Sequence, residues 1–232
     1  MKTIGVIGGM SWESTLEYYR IMNETVKRKM GGSHSAKMLV YSFDFDEVER
    51  LQHGGNWDEL SEMMINAAHR LEKAGADFLV IATNTMHKLV DNMIQRITIP
   101  ILHIVDVVGE KIVELGLKKV GLLGTKFTME EGFYSNRLRE NFGVEVFVPT
   151  NVERDVVHSV IYDELVKGII KESSKKKFVE IVKNLELRGI QGIILGCTEI
   201  PLLINQRDVD IPVFDTTKLH AIAAVEFALN ND

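Results

Sequence analysis

Short runs of consecutive apolar residues, each closed by glycine or polar residues, alternate along this chain with segments whose apolar residues return every three or four positions. The first pattern is that of strands buried on both faces, the second that of helices covering them. Strands are predicted at 3–7, 38–43, 99–102, 119–124, 144–148 and 211–214, and within the apolar parts of 75–86 and 189–202. A helix is expected after the first strand, with Leu16, Tyr19, Met22 and Val26 on its core face and Gly31-Gly32 as its stop. Residues 44–55, with Glu49, Arg50 and Gln52, read as a polar loop. Leu60, Met63, Met64, Ala67, Ala68 and Leu71 keep helical spacing up to Gly75. Further helices are expected near 86–96, at 104–115, around Val156, Val160 and Ile161, around Phe178, Ile181 and Leu185, and over 216–229.

The chain repeats itself. The stretch GIQGIILGCTEIPL at 189–202 and the stretch GADFLVIATNTM at 75–86 share one plan: a glycine, an apolar strand, then polar residues. Aligning them places Thr83-Asn84-Thr85 on Cys197-Thr198-Glu199. IGVIG at 4–8 likewise matches VGLLG at 120–124, and Ile99-Pro100-Ile101 matches Ile211-Pro212-Val213. Three landmarks in the same order predict two similar α/β domains, each a mostly parallel four-stranded sheet flanked by helices. The expected division is 1–102 plus 216–232 for the first domain and 103–215 for the second. Ligands of open α/β sheets bind beyond the carboxyl ends of the strands, so a cleft with Thr83 on one wall and Cys197 on the other is expected.

Composition narrows the function. A net charge of −6 offers no basic footprint for nucleic acid. A single cysteine excludes an internal disulfide framework. The opening MKTIGVIGGMSWE turns polar too soon for a secretory signal, and no apolar run reaches the roughly 18 residues that span a membrane. A cytoplasmic protein with no membrane partner is expected. Gly5, Gly8 and Gly9 lack the spacing of a dinucleotide fingerprint, and His87 and His103 lack the spacing of metal ligands, so each is expected to be a structural or pocket-wall histidine.

The residues at the two strand ends suit proton transfer at carbon. Polar groups on opposite walls of one cleft can remove a proton from one face of an α-carbon and return it on the other, inverting the centre. A cysteine serves as the base where its surroundings lower its pKa. Backbone N–H groups at the helix starts, with Asn84, Thr85, Thr125 and Thr198, can hold a carboxylate and its developing enolate charge. No phosphate loop and no Schiff-base lysine signal is present, so neither cofactor nor metal is expected.

The motifs GGMSWEST, TNTMHK and GCTEIPLL, with IPILHI and IPVFDT, closely resemble the aspartate/glutamate racemase family across the whole chain. That resemblance implies two α/β domains with the active site between them, racemisation of a small acidic amino acid without cofactor, and a homodimer. By position it assigns Cys197 as the second catalytic cysteine. Asn84, Thr85, Thr198 and Glu199 correspond to residues flanking the two cysteines, and Met10, Ser11, Gln52, Thr125 and Lys167 to looser candidates for substrate contact. A lysine beside Gly168 near a helix end is, taken alone, an ordinary solvated residue.

One position departs from the family. Its first catalytic cysteine corresponds to Thr83, whose hydroxyl is a far weaker acid than a thiol. Two alternatives to an amino-acid racemase therefore stay open: a one-cysteine decarboxylase or isomerase of the same superfamily, and a catalytically impaired homologue that binds a small acid.

Overall fold

Short parallel strands set the architecture. The computed structural model describes residues 1–230, so the last two residues of the expected segment 216–232 lie outside the described residues. The described residues divide into two units: Met1–Ile104 with 220–230, and Val105–Leu219.

In the first unit, β1 (Ile4–Gly8) is followed by α1 (Trp12–Met30), β2 (Met38–Ser42), α2 (Phe45–His53), α3 (Trp57–Lys73) and β3 (Phe78–Ile81). The sheet order is β2-β1-β3, all parallel, with Ile4 opposite both Met38 and Phe78. The four strands expected here are three. Residues 99–102 contribute one bridge, Leu79 to Ile101, because Pro100 has no N–H to extend the ladder. Alternation along β3 divides the core. Phe78, Val80 and Ala82 pack with Tyr18, Met22 and Val26 of α1 and with Ala221, Ala224, Val225 and Ala228 of the closing helix. Leu79 and Ile81 face the other way, against Leu51 of α2 and Leu60, Met64 and Leu71 of α3. Each fully buried Val, Leu, Ile, Phe or Met side chain among these contributes roughly 1.5–3 kcal/mol.

Further expectations fail in this unit. The core face of α1 is Ser14, Tyr18, Met22, Thr25 and Val26, whereas Leu16 and Tyr19 are each 54% exposed. At 3.6 residues per turn, Leu16 lies almost opposite Tyr18, so those two cannot both face the sheet, while the expected Met22 and Val26 do lie on the buried side. Residues 44–55 are not a loop. Asp44 caps α2 by accepting from Asp46 N–H, acidic residues fill its first turn, and Val48, Leu51 and Gln52 are buried on one side. The expected helix near 86–96 is a 3-10 turn, Thr85–Leu89, followed by the short α4 (Val90–Met93).

α5 (Ile104–Glu114) leads into the second unit. There β4 (Lys119–Gly124), α6 (Lys126–Glu130), α7 (Phe133–Phe142), β5 (Glu145–Phe147) and α8 (Asn151–Asp163) are followed by a 3-10 turn at Leu165–Lys167. α9 (Glu172–Glu186), β6 (Ile193–Gly196), α10 (Ile200–Leu203), β7 (Val213–Asp215) and α11 (Thr216–Leu229) complete the chain. The sheet is parallel in the order β5-β4-β6-β7, with Gly124 opposite Gly196. α8 begins with a reciprocal capping box between Thr150 and Glu153, and α9 buries Phe178, Ile181, Val182 and Leu185.

The sequence repeat is a structural repeat. In each unit the first strand is central, the second lies on one side, and the strand carrying the polar triplet lies on the other. Gly75 and Gly189, the glycines that open the two aligned stretches, both have left-handed φ values, +95° and +89°. Both follow a long helix, and any other residue would be strained where the chain turns back toward its sheet.

Candidate active site

Six of the expected site residues gather beyond the carboxyl ends of β1 and β3. Gly9, with φ +83° and no room for a side chain against the Phe43 backbone, turns the chain after β1 into Met10-Ser11, whose peptide bond is cis. The Gly9 N–H donates to Thr15 Oγ1 at 2.8 Å, and that hydroxyl donates to the Ser11 carbonyl at 3.1 Å. Ser11 caps α1 by accepting from Ser14 N–H at 3.3 Å, and Ser14 Oγ donates to the Ala82 carbonyl at 2.8 Å. The start of α1 is thereby tied to the residue before Thr83. From α2, Gln52 Nε2 donates to Met86 Sδ at 3.3 Å, which places it against the segment after Thr83. Met10, Ser11, Gln52, Asn84 and Thr85 are buried and Thr83 is half-buried.

The second unit builds an equivalent end. Thr125 caps α6 at the end of β4, accepting from Thr128 N–H at 3.3 Å. Beside it, Cys197-Thr198-Glu199 turns off β6. The Cys197 thiol donates to Glu199 Oε2 at 2.9 Å, and Thr198 Oγ1 donates to the same oxygen at 2.8 Å. Thr216 Oγ1, fully buried, holds the Leu195 carbonyl at 2.9 Å and so steadies the last turn of the strand. Lys167 is not drawn into this group. Its side chain is 59% exposed, with Nζ 4.0 Å from Asp163, although its 3-10 turn packs on α10.

Electrostatics bears on the condition under which a cysteine acts as a resting base. The surroundings of Cys197 do not lower its pKa. Burial and the adjacent Glu199 carboxylate hold it well above the ordinary thiol value of 9.0. A thiolate there would be a second anion next to the carboxylate it now hydrogen-bonds. The resting group is the neutral thiol, with a carboxylate in place to take its proton.

Buried histidines that the sequence left isolated form a cluster in the first unit. His87 and His103 meet edge to face at 4.8 Å, and His87 and His220 at 5.7 Å. Ile104 N–H donates to His87 Nε2 at 3.2 Å, so the proton of the neutral ring sits on Nδ1 and is donated to the Thr83 carbonyl at 2.8 Å. His220 Nε2–H donates to the Leu102 carbonyl at 2.8 Å, and its Nδ1 accepts from the Tyr18 hydroxyl at 2.8 Å. Burial pushes both rings toward the neutral form: His87 falls well below 6.5 and His220 to about 4. The bond from His87 to Thr83 spans four residues, a local signal present in TNTMHK. No sequence signal joins Tyr18 to His220. Among the described residues, no group of three or more His, Cys, Asp or Glu side chains is disposed to hold a metal ion.

Comparison with known proteins gives consistent matches. The family profile described as Asp/Glu/Hydantoin racemase matches residues 7–224. The Broad specificity amino-acid racemase RacX of Bacillus subtilis is 25% identical over 236 residues, spanning 96% of each chain. A Yersinia pestis structure provisionally described as an Asp/Glu racemase superposes with a TM-score of 0.93 at 50% identity, covering 99% of this chain and 100% of its own. The structure of an aspartate racemase homologue from Pyrococcus horikoshii gives 0.86 at 40% identity, with 99% and 100% coverage.

Proposed function

This chain belongs to the Asp/Glu/Hydantoin racemase family, and from that premise we propose that it interconverts the enantiomers of an acidic amino acid, aspartate or glutamate, without a cofactor. Membership supports amino-acid racemase activity in general; the acidic substrate and the route are our reading. What carries it is the pair of matched strand ends, one bearing Thr83 and the other a Cys197 thiol hydrogen-bonded to Glu199.

In the proposed route Cys197 serves one face of the α-carbon and the Thr83 turn serves the other. With the enantiomer whose α-hydrogen faces Cys197, Glu199 accepts the thiol proton and the thiolate takes the α-proton. The C–H electron pair passes into the α-carboxylate as an enolate. A proton delivered on the other face, from the Thr83 hydroxyl or a water it holds, completes the inversion, and the proton left on Glu199 returns through solvent to the oxygen that gave one up, which restores the site. In the reverse sense the neutral thiol is already the proton donor, which its raised pKa favours. Met10, Ser11, Gln52, Asn84, Thr85, Thr125, Thr198 and Lys167 are the proposed substrate contacts. Glu199, also expected among them, takes the further role of proton partner to Cys197. A homodimer and a cytoplasmic location belong to the same proposal, and sedentation-based mass measurement by analytical ultracentrifugation tests the first. Among the described residues, no helix is long and apolar enough to cross a membrane.

The test is solvent deuterium. L- and D-aspartate and L- and D-glutamate are each incubated with the protein in D2O, and α-deuterium and inversion are followed by NMR and chiral chromatography. A hydroxyl is a poor partner for a thiol, so the Thr83 face carries the higher barrier. Each roughly 1.4 kcal/mol of difference slows a step about tenfold. One enantiomer is expected to gain deuterium faster than it inverts. Equal exchange-to-inversion ratios from both enantiomers would show two matched bases. Binding without any exchange would leave a small-acid binding protein, and loss of CO2 from a malonate-like acid a decarboxylase.

A further inference from the structure

We propose that His87 is a positioning residue for Thr83, its Nδ1–H holding the Thr83 carbonyl and so fixing where the Thr83 side chain is presented at the end of β3. The proposal rests on the racemase reading above, since the placement of Thr83 matters there for one face of the substrate carbon.

The ring has one orientation open to it. Turning it over would deprive both Ile104 N–H and the Thr83 carbonyl of their partners, at 3.2 Å and 2.8 Å. His103 and His220 pack edge-on against it, and His220 is itself held at both nitrogens by Tyr18 and Leu102. The ring is buried and neutral, so it neither competes for a substrate proton nor carries a charge beside the site. Its backbone N–H also donates to the Asn84 carbonyl at 3.1 Å. With Ser14 on Ala82, three successive carbonyls around Thr83 each have a fixed donor, two of them supplied by His87.

Comparison within the chain shows that this anchor is not a general property of the fold. The alignment that sets Thr83 on Cys197 sets His87 on Pro201, which has no side-chain donor. The Cys197 carbonyl is instead held by the main-chain N–H of Ile200 at 3.2 Å. The half that carries the hydroxyl therefore has a side-chain anchor that the half carrying the thiol lacks. Proton transfer requires the group that gives or takes the proton to lie within hydrogen-bond reach of the reacting atom, so the placement of the Thr83 turn bears directly on the step proposed there.

The experiment compares the wild-type full chain with His87→Leu and His87→Asn, the asparagine amide keeping an N–H near the position of Nδ1. His87→Leu should lower the kcat of inversion about tenfold or more at nearly unchanged KM, while α-deuterium exchange on the Cys197 face stays within about twofold. His87→Asn should recover most of that loss. Long-range 1H–15N NMR of the wild-type ring should find the proton on Nδ1 between pH 6 and 8. A folded His87→Leu with wild-type inversion, an equal fall of exchange and inversion, or a proton on Nε2 would overturn the proposal. Should His87→Leu not fold, an inversion loss of about tenfold in folded His87→Asn would overturn it too, and recovery with an Nδ1 proton would sustain it. A wild-type chain with neither exchange nor inversion sinks the racemase reading and this proposal together, a result distinct from an active chain indifferent to His87.

Discussion

The Cys197 thiol donates a 2.9 Å hydrogen bond to the Glu199 carboxylate, two residues further along the same turn. That contact decides the resting state of the chain's only cysteine. The proton is on sulfur, and the nearest base is a carboxylate that also holds the Thr198 hydroxyl. Catalysis at this thiol is expected to begin with proton transfer within the turn.

Cys197→Ala should lower both exchange and inversion by a factor on the order of 10²–10⁴, the usual worth of a positioned acid or base. The side chain is small, so thermal unfolding should move little. Full activity in the purified variant would remove Cys197 from the reaction.

Glu199→Gln tests the partner. Replacing the carboxylate by an amide removes the charge that helps to raise the thiol pKa, so thiolate should form at lower pH than in the wild type. With one cysteine in the chain, the thiolate absorbance near 240 nm reports this group without ambiguity. The wild-type step should lie above pH 9.0 and the variant step below the wild-type one, while turnover falls about a hundredfold for want of the proton acceptor. Coincident titration curves would contradict the assignment.

Thr83→Cys places a group that can ionise near neutral pH on the other face. Inversion should rise about tenfold or more, and the exchange-to-inversion ratios of the two enantiomers should converge. Equal or lower inversion in a folded variant that still binds substrate would count against Thr83 as the weaker partner.

Acid should destabilise the fold through His220. Its pKa is about 4 in the fold, against an ordinary 6.5. Between those values the unfolded chain binds the extra proton and the folded chain does not, so stability falls as pH drops from about 6.5 to about 4. Below that both forms are protonated and this contribution is fully lost. It amounts to about 3 kcal/mol, and His87 adds to it with the same sign. Calorimetric Tm values across this range should fall with pH in the wild type and fall less steeply in His220→Gln. Parallel curves would show that the ring is not responsible.

Much of this architecture was legible because its signals are local. The buried strands before Thr83 and Cys197 announce themselves as apolar runs ended by polar triplets. α3 and α9 announce themselves by period, and the duplication by landmarks in one order. Where sequence and structure part, the cause is local too. Arg50 and Glu49 made 44–55 look like a loop, although Asp44, Val48, Leu51 and Gln52 already carried the cap and the face of a helix. Leu16 and Tyr19 looked like a core face because they are apolar, yet the buried face follows Tyr18 and Met22.

The sequence by itself determined which residues end the two repeated strands, and therefore that a hydroxyl and a thiol occupy matched positions, because strand and turn formation depend on neighbours a few residues apart. Only the tertiary structure decided the state of those groups. Burial of Cys197 beside Glu199 set the direction of its pKa, upward. The ring that holds Thr83 is packed against His220, which is paired with Tyr18 across 202 residues of chain. Proton affinities depend on desolvation and on charges within a few ångströms, and those distances exist only once the strands have brought distant residues together.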